Sequence, residues 1–304
     1  MSSNHDGHSH TLPDIGNINR AFFIGIGLNS LYTVIEFIVG YSTNSLALIA
    51  DASHNLSDVA SLIISVIGMR LAQKAATFSY TYGYKKASIL ASLINSILLI
   101  MIVIKIFIEG IERLCSPPVV ASNVIIITAL IGVIINVISA FLFYKGQKQD
   151  INIKGAFIHL SVDAALSLGV VISGIIIYYT QCDIIDTIIS FIIGFFIVFS
   201  TWSLLKESIR LTLDGVPKDV NLNKIESLLL QNHFIREVHH LHVWALSSSE
   251  NALTVHVVLK KDVPNQEFLI AKDIIKQDLV HENIQHSTIE LDDMNHECKD
   301  FNCT

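Results

Sequence analysis

Six long apolar stretches occupy most of the chain up to Leu205. They are centred near residues 21–40, 46–69, 87–111, 122–144, 155–179 and 184–205. A helix needs about 20 mostly apolar residues to cross the hydrocarbon core of a membrane. The pattern therefore predicts a membrane α-helical protein with six transmembrane helices.

The pattern changes after residue 212, where short apolar runs alternate with polar residues. The segment Asp214–Pro217 marks a break in the chain. The elements that the pattern then predicts are a helix capped by Asn223, strands over Glu237–Leu246 and Ala252–Lys260, a helix over Gln266–Val280 and a strand over Ser287–Leu291. The order αββαβ is typical of a small two-layer α+β domain.

We therefore divide the chain into four parts. Residues 1–19 form a histidine-containing N-terminal tail, 20–212 a six-span transmembrane domain, 213–294 the α+β domain, and 295–304 a C-terminal tail with cysteine and histidine. With six spans, Lys and Arg between the apolar stretches fall on one side of the membrane, Arg113 being the clear exception. Because positively charged loops stay in the cytoplasm, both termini are predicted to be cytoplasmic. The compact loops favour a bacterial plasma membrane.

Composition agrees with an integral membrane protein and argues against other classes. The chain is 51% hydrophobic and 15% charged, and its mean hydropathy is +0.54, which is too apolar for an ordinary soluble protein. It contains no Gly-Lys dipeptide, so the phosphate-binding loop of an ATP-driven pump is absent and no nucleotide cofactor is expected. With a net charge of -7 and no large basic patch, nucleic-acid binding has no support.

Two copies of one short motif interrupt the apolar pattern. His54–Asp58 in the second stretch and His159–Asp163 in the fifth each place a histidine four residues before an aspartate. An ionisable group at the centre of a bilayer costs about 2.5–3.5 kcal/mol, so four such groups need a common partner. Residues four apart lie on one face of a helix, and two such faces directed at each other supply four metal ligands.

The ligand types favour zinc as that partner. Two imidazoles and two carboxylates suit tetrahedral zinc, or the similar cobalt and cadmium, better than the all-oxygen shell of magnesium or calcium. Because metal displaces protons from such ligands and protons displace metal, a site that opens to each side in turn predicts a metal/proton antiporter. The alternative is that each His–Asp pair is a structural hydrogen bond between helices.

Asp51 is a further ionisable residue in the second stretch. It lies three residues before His54 and seven before Asp58, on the same helical face. It is predicted to guard the access path or to accept a hydrogen bond behind the ligands.

Two other functions would use the same residues differently. A membrane-embedded zinc hydrolase needs an open coordination position and a general base. The sequence lacks the corresponding His-Glu-x-x-His motif, because His281–His286 has one residue too many. A metal-sensing membrane protein could use the cytoplasmic histidines but has no need of ligands in the middle of the membrane. Secondary transport of a divalent metal, without enzymatic activity, fits the residues best.

Several motifs, in this order, resemble the cation diffusion facilitator family and its zinc-exporting subgroup. They are Ser45–Asp58, Tyr80–Lys86, His159–Asp163 and Val238–Trp244. The resemblance implies a homodimer whose ferredoxin-like cytoplasmic domains pair with each other, and which exports zinc in exchange for protons. It also implies that His54, Asp58, His159 and Asp163 form the transport site.

The resemblance further implies a regulatory zinc site in the cytoplasmic domain. Related proteins place it at positions that match His239, His256, His286 and Asp292 in this sequence. The predicted strands agree in part, because His239 and His256 lie on adjacent strands.

Both tails contain additional candidate ligands. Cys298 and Cys303, expected to be reduced in the cytoplasm, form a small soft-ligand cluster. Three N-terminal histidines, His5, His8 and His10, either capture cytosolic ions or belong to a solvated tail without this role.

Overall fold

A computed structural model describes residues 15–72, 74–144, 151–260 and 265–292. The described residues belong to two compact units. The first lies within residues 1–62 and 99–199, and the second within residues 63–98 and 200–304.

Six long helices precede the α+β domain. They are α1 (Ile15–Ser42), α2 (Leu46–Ala72), α3 (Ala87–Cys115), α4 (Ser122–Tyr144), α5 (Ile151–Thr180) and α6 (Ile184–Thr212). Four of them, α3 to α6, are long and apolar enough to cross a membrane. Within the described residues, α1 and α2 are not among these candidate spans, and α2 contains Asp51, His54 and Asp58. Six membrane crossings therefore remain a prediction.

The core of the first unit surrounds the beginning of α2. Residues Leu46–Ala50 are buried and pack with Val103 of α3, Ile125 of α4, Val170 of α5 and Ile197 of α6. Many other large apolar side chains of these helices point outward and are exposed. Helices with apolar surfaces on both sides are typical of a membrane-embedded bundle.

Asp186 fixes the first turn of α2 within this core. Its carboxylate accepts hydrogen bonds from Ser45 Oγ at 2.5 Å, from the Leu46 amide at 2.6 Å and from the Ala47 amide at 3.3 Å. The first amides of a helix have no partner within the helix, and an acidic group there is favourable. Asp186 therefore connects the start of α6 to the start of α2.

The second unit contains the predicted α+β domain. Its elements are α7 (Leu222–Gln231), β1 (Ile235–Ala245), β2 (Asn251–Leu259), α8 (Asn265–His281) and β3 (His286–Asp292). The strand order is β1-β2-β3, with β1 antiparallel and β3 parallel to β2. Because a parallel pair needs a crossover connection, α8 lies between β2 and β3 in the chain.

The helices of this domain cover one face of its sheet. Ile225 and Leu229 of α7 and Ile275 of α8 are buried with Leu253 and Val255 of β2 in a single apolar cluster. The predicted order of elements is confirmed.

The predicted cap of the first helix in this domain is wrong. The N-cap of α7 is Asn221, whose side chain accepts a hydrogen bond from the Lys224 amide, so Asn223 lies inside the first turn. Asn221 is two residues upstream of the predicted position, and either asparagine has the short polar side chain that a cap requires.

Candidate metal sites

The two membrane motifs meet between α2 and α5. His54 Nε2 lies 3.0 Å from Asp163 Oδ1 and 3.8 Å from Asp58 Oδ2. His159 Nε2 lies 3.4 Å from Asp58 Oδ2 and 3.8 Å from Asp163 Oδ2. Each histidine therefore approaches both carboxylates, and the four side chains form a closed ring that we call the membrane quartet.

Helical spacing and packing together produce this ring. Within α2 and within α5 the four-residue spacing places histidine and aspartate on one face. The two helices come together, so that each histidine also reaches the aspartate of the other helix. The His54 and His159 rings are 6.1 Å apart between centroids and meet edge to face.

The quartet has a buried half and an accessible half. The side chains of His54 and Asp163 are 8% and 4% exposed, whereas those of Asp58 and His159 are 22% and 49% exposed. An ion bound here would be held on one side by the protein interior. His159 lies at the open side, through which an ion would enter.

The His–Asp spacings around the ring are close to those of a tetrahedral site, and three of the four residues, His54, Asp58 and Asp163, form a compact ligand set. A zinc ion bonded at about 2.0–2.2 Å to nitrogen and oxygen would hold neighbouring ligand atoms about 3.4 Å apart. The four distances around the ring, 3.0 to 3.8 Å, bracket this value. Ligand atoms of His54, Asp58 and Asp163 all lie within 4.8 Å of one another.

Asp58 carries the strongest local indication of a missing positive charge. Its Oδ2 atom is buried and makes no well-formed hydrogen bond among the described residues, with His159 Nε2 at 3.4 Å as its nearest imidazole nitrogen. A buried carboxylate oxygen without a partner is costly, and a divalent cation would satisfy it. The quartet therefore has the ligand types that a divalent metal requires, and the same groups are ones that bind protons.

Asp51 lies beside the quartet without a described hydrogen bond to it. It is fully buried, and its Oδ2 atom accepts a hydrogen bond from Ser167 Oγ at 2.7 Å. A role for Asp51 as gatekeeper or as acceptor behind the ligands remains a prediction.

A second cluster lies on the sheet of the α+β domain. His239 of β1 is paired with His256 of β2 in the antiparallel register. Asp292, at the end of β3, reaches both, with Oδ2 at 2.7 Å from His239 Nε2 and 3.2 Å from His256 Nδ1. Their ligand atoms lie within 4.8 Å of one another, so these three residues can bind a metal together.

The carboxylate of this second cluster is held in its ionised form. Burial disfavours ionisation of Asp292, but hydrogen bonds from His239 and His256 outweigh it, and the pKa of Asp292 is lowered. An ionised carboxylate beside two imidazoles is a suitable set of zinc ligands.

Glu290 also contacts this cluster, and it was not among the predicted ligands. It is paired with His256 in the parallel register, and its Oε2 atom lies 3.5 Å from His256 Nε2. Glu290 and Asp292 are two residues apart, so their side chains share one face of β3. The alternation of side chains along the strand that ends at Asp292 is the sequence signal that could have predicted Glu290.

The prediction that His286 belongs to this cluster is wrong. His286 begins β3 opposite Ala252, four residues before Glu290 in the strand. Its ring instead meets Tyr82 edge to face, with centroids 5.4 Å apart. A strand rises roughly 3.3 Å per residue, so His286 is too far along β3 to bind the same ion as Asp292.

The remaining candidate ligands lie outside the described residues. These are His5, His8 and His10 in the N-terminal tail and Cys298 and Cys303 in the C-terminal tail.

Comparison with known proteins covers both parts of the chain. Residues 22–212 match the cation efflux transmembrane domain, and residues 217–294 match the cation efflux protein cytoplasmic domain. Together these matches span all the elements that carry the two clusters.

Three bacterial relatives align over nearly the whole chain. The metal cation efflux system protein CzcD of Cupriavidus metallidurans is 37% identical over 287 residues, covering 94% of this chain and 90% of CzcD. The cadmium, cobalt and zinc/H(+)-K(+) antiporter of Bacillus subtilis is 33% identical over 94% of this chain and 92% of its own length. The zinc transporter ZitB of Escherichia coli is 30% identical over 94% of this chain and 91% of its own length.

Proposed function

This chain belongs to the cation efflux family, the cation diffusion facilitators, and we propose that it exports zinc from the cytoplasm in exchange for protons. The family consists of integral membrane transporters rather than enzymes. The names of the relatives support zinc as cargo, with cadmium and cobalt as further candidates.

The membrane quartet carries the proposal. Its two imidazoles and two carboxylates suit zinc, and the two negative charges of Asp58 and Asp163 balance the charge of a divalent ion. The buried Oδ2 atom of Asp58, which faces both histidines without a well-formed hydrogen bond, supports a cation at this position. We assign His54, Asp58, His159 and Asp163 as the transport ligands.

Proton exchange follows from the charge of the quartet. With metal bound, two carboxylates face one divalent cation, and the site is neutral. When the metal leaves, two carboxylates remain in a poorly hydrated environment, which favours proton uptake. A site that is always occupied by either zinc or protons exchanges one for the other as it opens to alternate sides.

The architecture that we propose has six membrane crossings, with α1 and α2 completing the bundle. Both termini then lie in the cytoplasm, in accord with the distribution of Lys and Arg. The α+β domain has the order αββαβ, which agrees with a ferredoxin-like fold, and it would pair two copies of the chain in a homodimer. Because the relatives are bacterial, we place the protein in a bacterial plasma membrane.

The cluster of His239, His256 and Asp292 is proposed as a regulatory zinc site. It lies in the segment that matches the cytoplasmic domain, far along the chain from the proposed transport ligands. Zinc bound there would report the cytosolic concentration of the cargo.

Transport can be tested with purified protein in sealed vesicles. A pH difference across the membrane, with the lumen acidic, should drive zinc into vesicles, and zinc addition without a pH difference should change the luminal pH. A membrane-embedded hydrolase would leave luminal pH and luminal zinc unchanged, and that result would contradict the proposal.

A further inference from the structure

Two carboxyl groups outside the membrane quartet lie together in the interior of the first unit. Glu36 of α1 and Asp51 of α2 are both 0% exposed. Asn55, one helical turn after Asp51 on α2, donates to Glu36 Oε2 at 3.0 Å, which places Glu36 against the face of α2 that carries Asp51. The side chains that donate to the two carboxyl groups, from Tyr32, Asn55 and Ser167, are all neutral.

Two adjacent carboxylates in this environment cannot both be ionised without a large electrostatic cost. Like charges that share a buried site disfavour double ionisation, and the neutral side chains that donate to the pair carry no positive charge to balance it. Moreover, Asp51 Oδ1 is buried and meets no N–H or O–H donor among the described residues. A proton on one of the two carboxyl groups supplies the missing donor and removes one negative charge.

Tyr32 allows the Glu36 carboxyl to carry or to lose a proton. The Tyr32 hydroxyl oxygen lies 3.0 Å from Glu36 Oε1 and 3.3 Å from the Thr128 carbonyl oxygen of α4. The hydroxyl can donate to Glu36 when that carboxyl is ionised. When the shared proton lies between Glu36 and Asp51, the Tyr32 hydroxyl can donate to Glu36 Oε1 or to the Thr128 carbonyl, so it keeps a hydrogen bond in both states.

The pair contacts both helices that carry the quartet, but through residues other than the ligands. Asn55, next to His54 on α2, donates to Glu36 Oε2 at 3.0 Å. Ser167, four residues after Asp163 on α5, donates to Asp51 Oδ2 at 2.7 Å. A change in the spacing of α2 and α5 around the metal would therefore also change the surroundings of the pair.

The titratable groups that surround the pair come from three helices. They are Tyr32 from α1, His54 from α2 and Asp163 from α5, each close enough to interact electrostatically with Asp51. Helix α4 contributes the Thr128 carbonyl. Of these groups, only His54 can carry a positive charge, and it is already paired with Asp163.

We propose that Glu36 and Asp51 share one proton that is exchanged during metal transport. In the closed, metal-free arrangement one proton lies on this pair. When zinc binds the quartet from the cytoplasm, its positive charge beside the pair offsets the cost of two carboxylates, and the proton leaves to the cytoplasm. After zinc leaves on the opposite side, the pair takes up one proton from that side before it closes again. The inference rests on the proposed exchange of zinc and protons and assigns part of its proton count.

Proton counting in proteoliposomes tests this assignment. Zinc and proton fluxes are measured together for the full chain and for Glu36→Gln and Asp51→Asn. Each variant keeps the shape of the pair but leaves a single carboxylate without the like-charged neighbour that favours proton uptake. Each variant should exchange one proton fewer per zinc. At a difference of one pH unit, the zinc gradient reached at steady state should be about tenfold smaller than in the parent, because one pH unit for one proton equals a tenfold change in concentration.

Asp186→Asn provides a matched control. It also neutralises a buried carboxyl of the first unit, but one that caps α2 with three donors. Its proton count should equal that of the parent. Unchanged counts in both pair variants, with normal transport by the parent, would overturn the assignment and leave the proposed function intact. A parent without zinc flux would instead contradict the proposed function, and this assignment with it.

Infrared spectroscopy decides the case in which both pair variants lose transport. The parent should show the C=O stretch of a protonated carboxyl group. This band should be absent from the spectra of Glu36→Gln and Asp51→Asn, and Asp186→Asn should show the same band as the parent. Identical carboxyl bands in the parent and both pair variants would overturn the shared proton directly.

Discussion

The Nε2 atom of His54 lies 3.0 Å from the Oδ1 atom of Asp163, although the two residues are 109 positions apart in the chain. Both side chains are nearly inaccessible to solvent. This contact joins α2 to α5 at the buried half of the membrane quartet, where it stabilises the metal-free protein and positions two of the proposed ligands.

The first prediction concerns the stability of the metal-free protein. His54→Ala leaves the Asp163 carboxylate buried without its imidazole, and a lost hydrogen bond to a charged group costs about 1.5–3 kcal/mol. The variant should therefore unfold at a lower temperature than the parent in detergent with a chelator. Asp163→Asn removes the charge and keeps an acceptor for His54, so its loss should be smaller. Equal thermal stability of the parent and His54→Ala would argue against the contact.

Asp186 gives a prediction about the start of α2. Asp186→Ala removes the acceptor of the Ser45 hydroxyl and of the Leu46 and Ala47 amides, all of them buried. Leaving buried donors unsatisfied costs about 1–3 kcal/mol. We expect lower thermal stability and faster hydrogen exchange of amides in the first turn of α2. Asp186→Asn, which keeps an acceptor oxygen, should retain most of the protection, and equal exchange in Asp186→Ala and the parent would contradict the capping role.

The cluster of His239, His256 and Asp292 gives a prediction about zinc affinity. The measurement uses an Asp163→Ala background, which disables the proposed transport site. In this background, His239→Ala and Asp292→Ala should each weaken zinc binding by at least about 10-fold. This is the smaller end of the loss seen when a residue that only supports a metal ligand is removed. Isothermal titration calorimetry measures the change. His286→Ala is the matched control, because His286 lies opposite Ala252 and away from the cluster. A loss of affinity in His286→Ala equal to that in His239→Ala would contradict the arrangement.

The lowered pKa of Asp292 gives a prediction about acid stability. The folded domain keeps Asp292 ionised at pH values where the unfolded chain has bound a proton, so the unfolded state takes up more protons and stability falls as pH falls. The contribution is complete above the ordinary aspartate pKa of about 3.9 and disappears as pH falls through the lowered value.

This acid dependence can be measured with a single fluorophore. The chain has two tryptophans, and Trp202→Phe leaves Trp244 of β1 as a reporter of the α+β domain. In metal-free protein, Asp292→Asn should be less stable than the parent at neutral pH, and the difference should shrink at acid pH. A difference that does not change with pH would show that Asp292 acts without its charge.

Local pattern accounts for most of the elements. The stretches beginning at residues 46, 87, 122 and 184 begin helices at Leu46, Ala87, Ser122 and Ile184. The two His-x-x-x-Asp motifs could be found from spacing alone, because each pair lies within one helical turn. The periodicity of the side chains therefore predicts the two His–Asp pairs as well as the helices.

Contacts between distant segments could not be predicted in the same way. The placement of His286 failed because ligand sets on a sheet depend on strand register, and the register pairs His256 with Glu290 rather than with His286. Likewise, Asp186 accepts a hydrogen bond from the Leu46 amide at the start of α2, although the two residues are 140 positions apart. No local sequence pattern indicates that partner. The pairing of Glu36 with Asp51 depends on how α1 packs against α2, which hydropathy does not specify.

The most direct measurement is zinc-dependent proton flux in proteoliposomes for the parent, His54→Ala and Asp163→Ala. Ser173→Ala, a buried α5 residue outside the quartet, is the control for substitution in this helix. The parent and Ser173→Ala should exchange zinc for protons, and the two quartet variants should fall to the level of vesicles without protein. Zinc-dependent proton flux in both quartet variants equal to that of the parent would contradict the transport site.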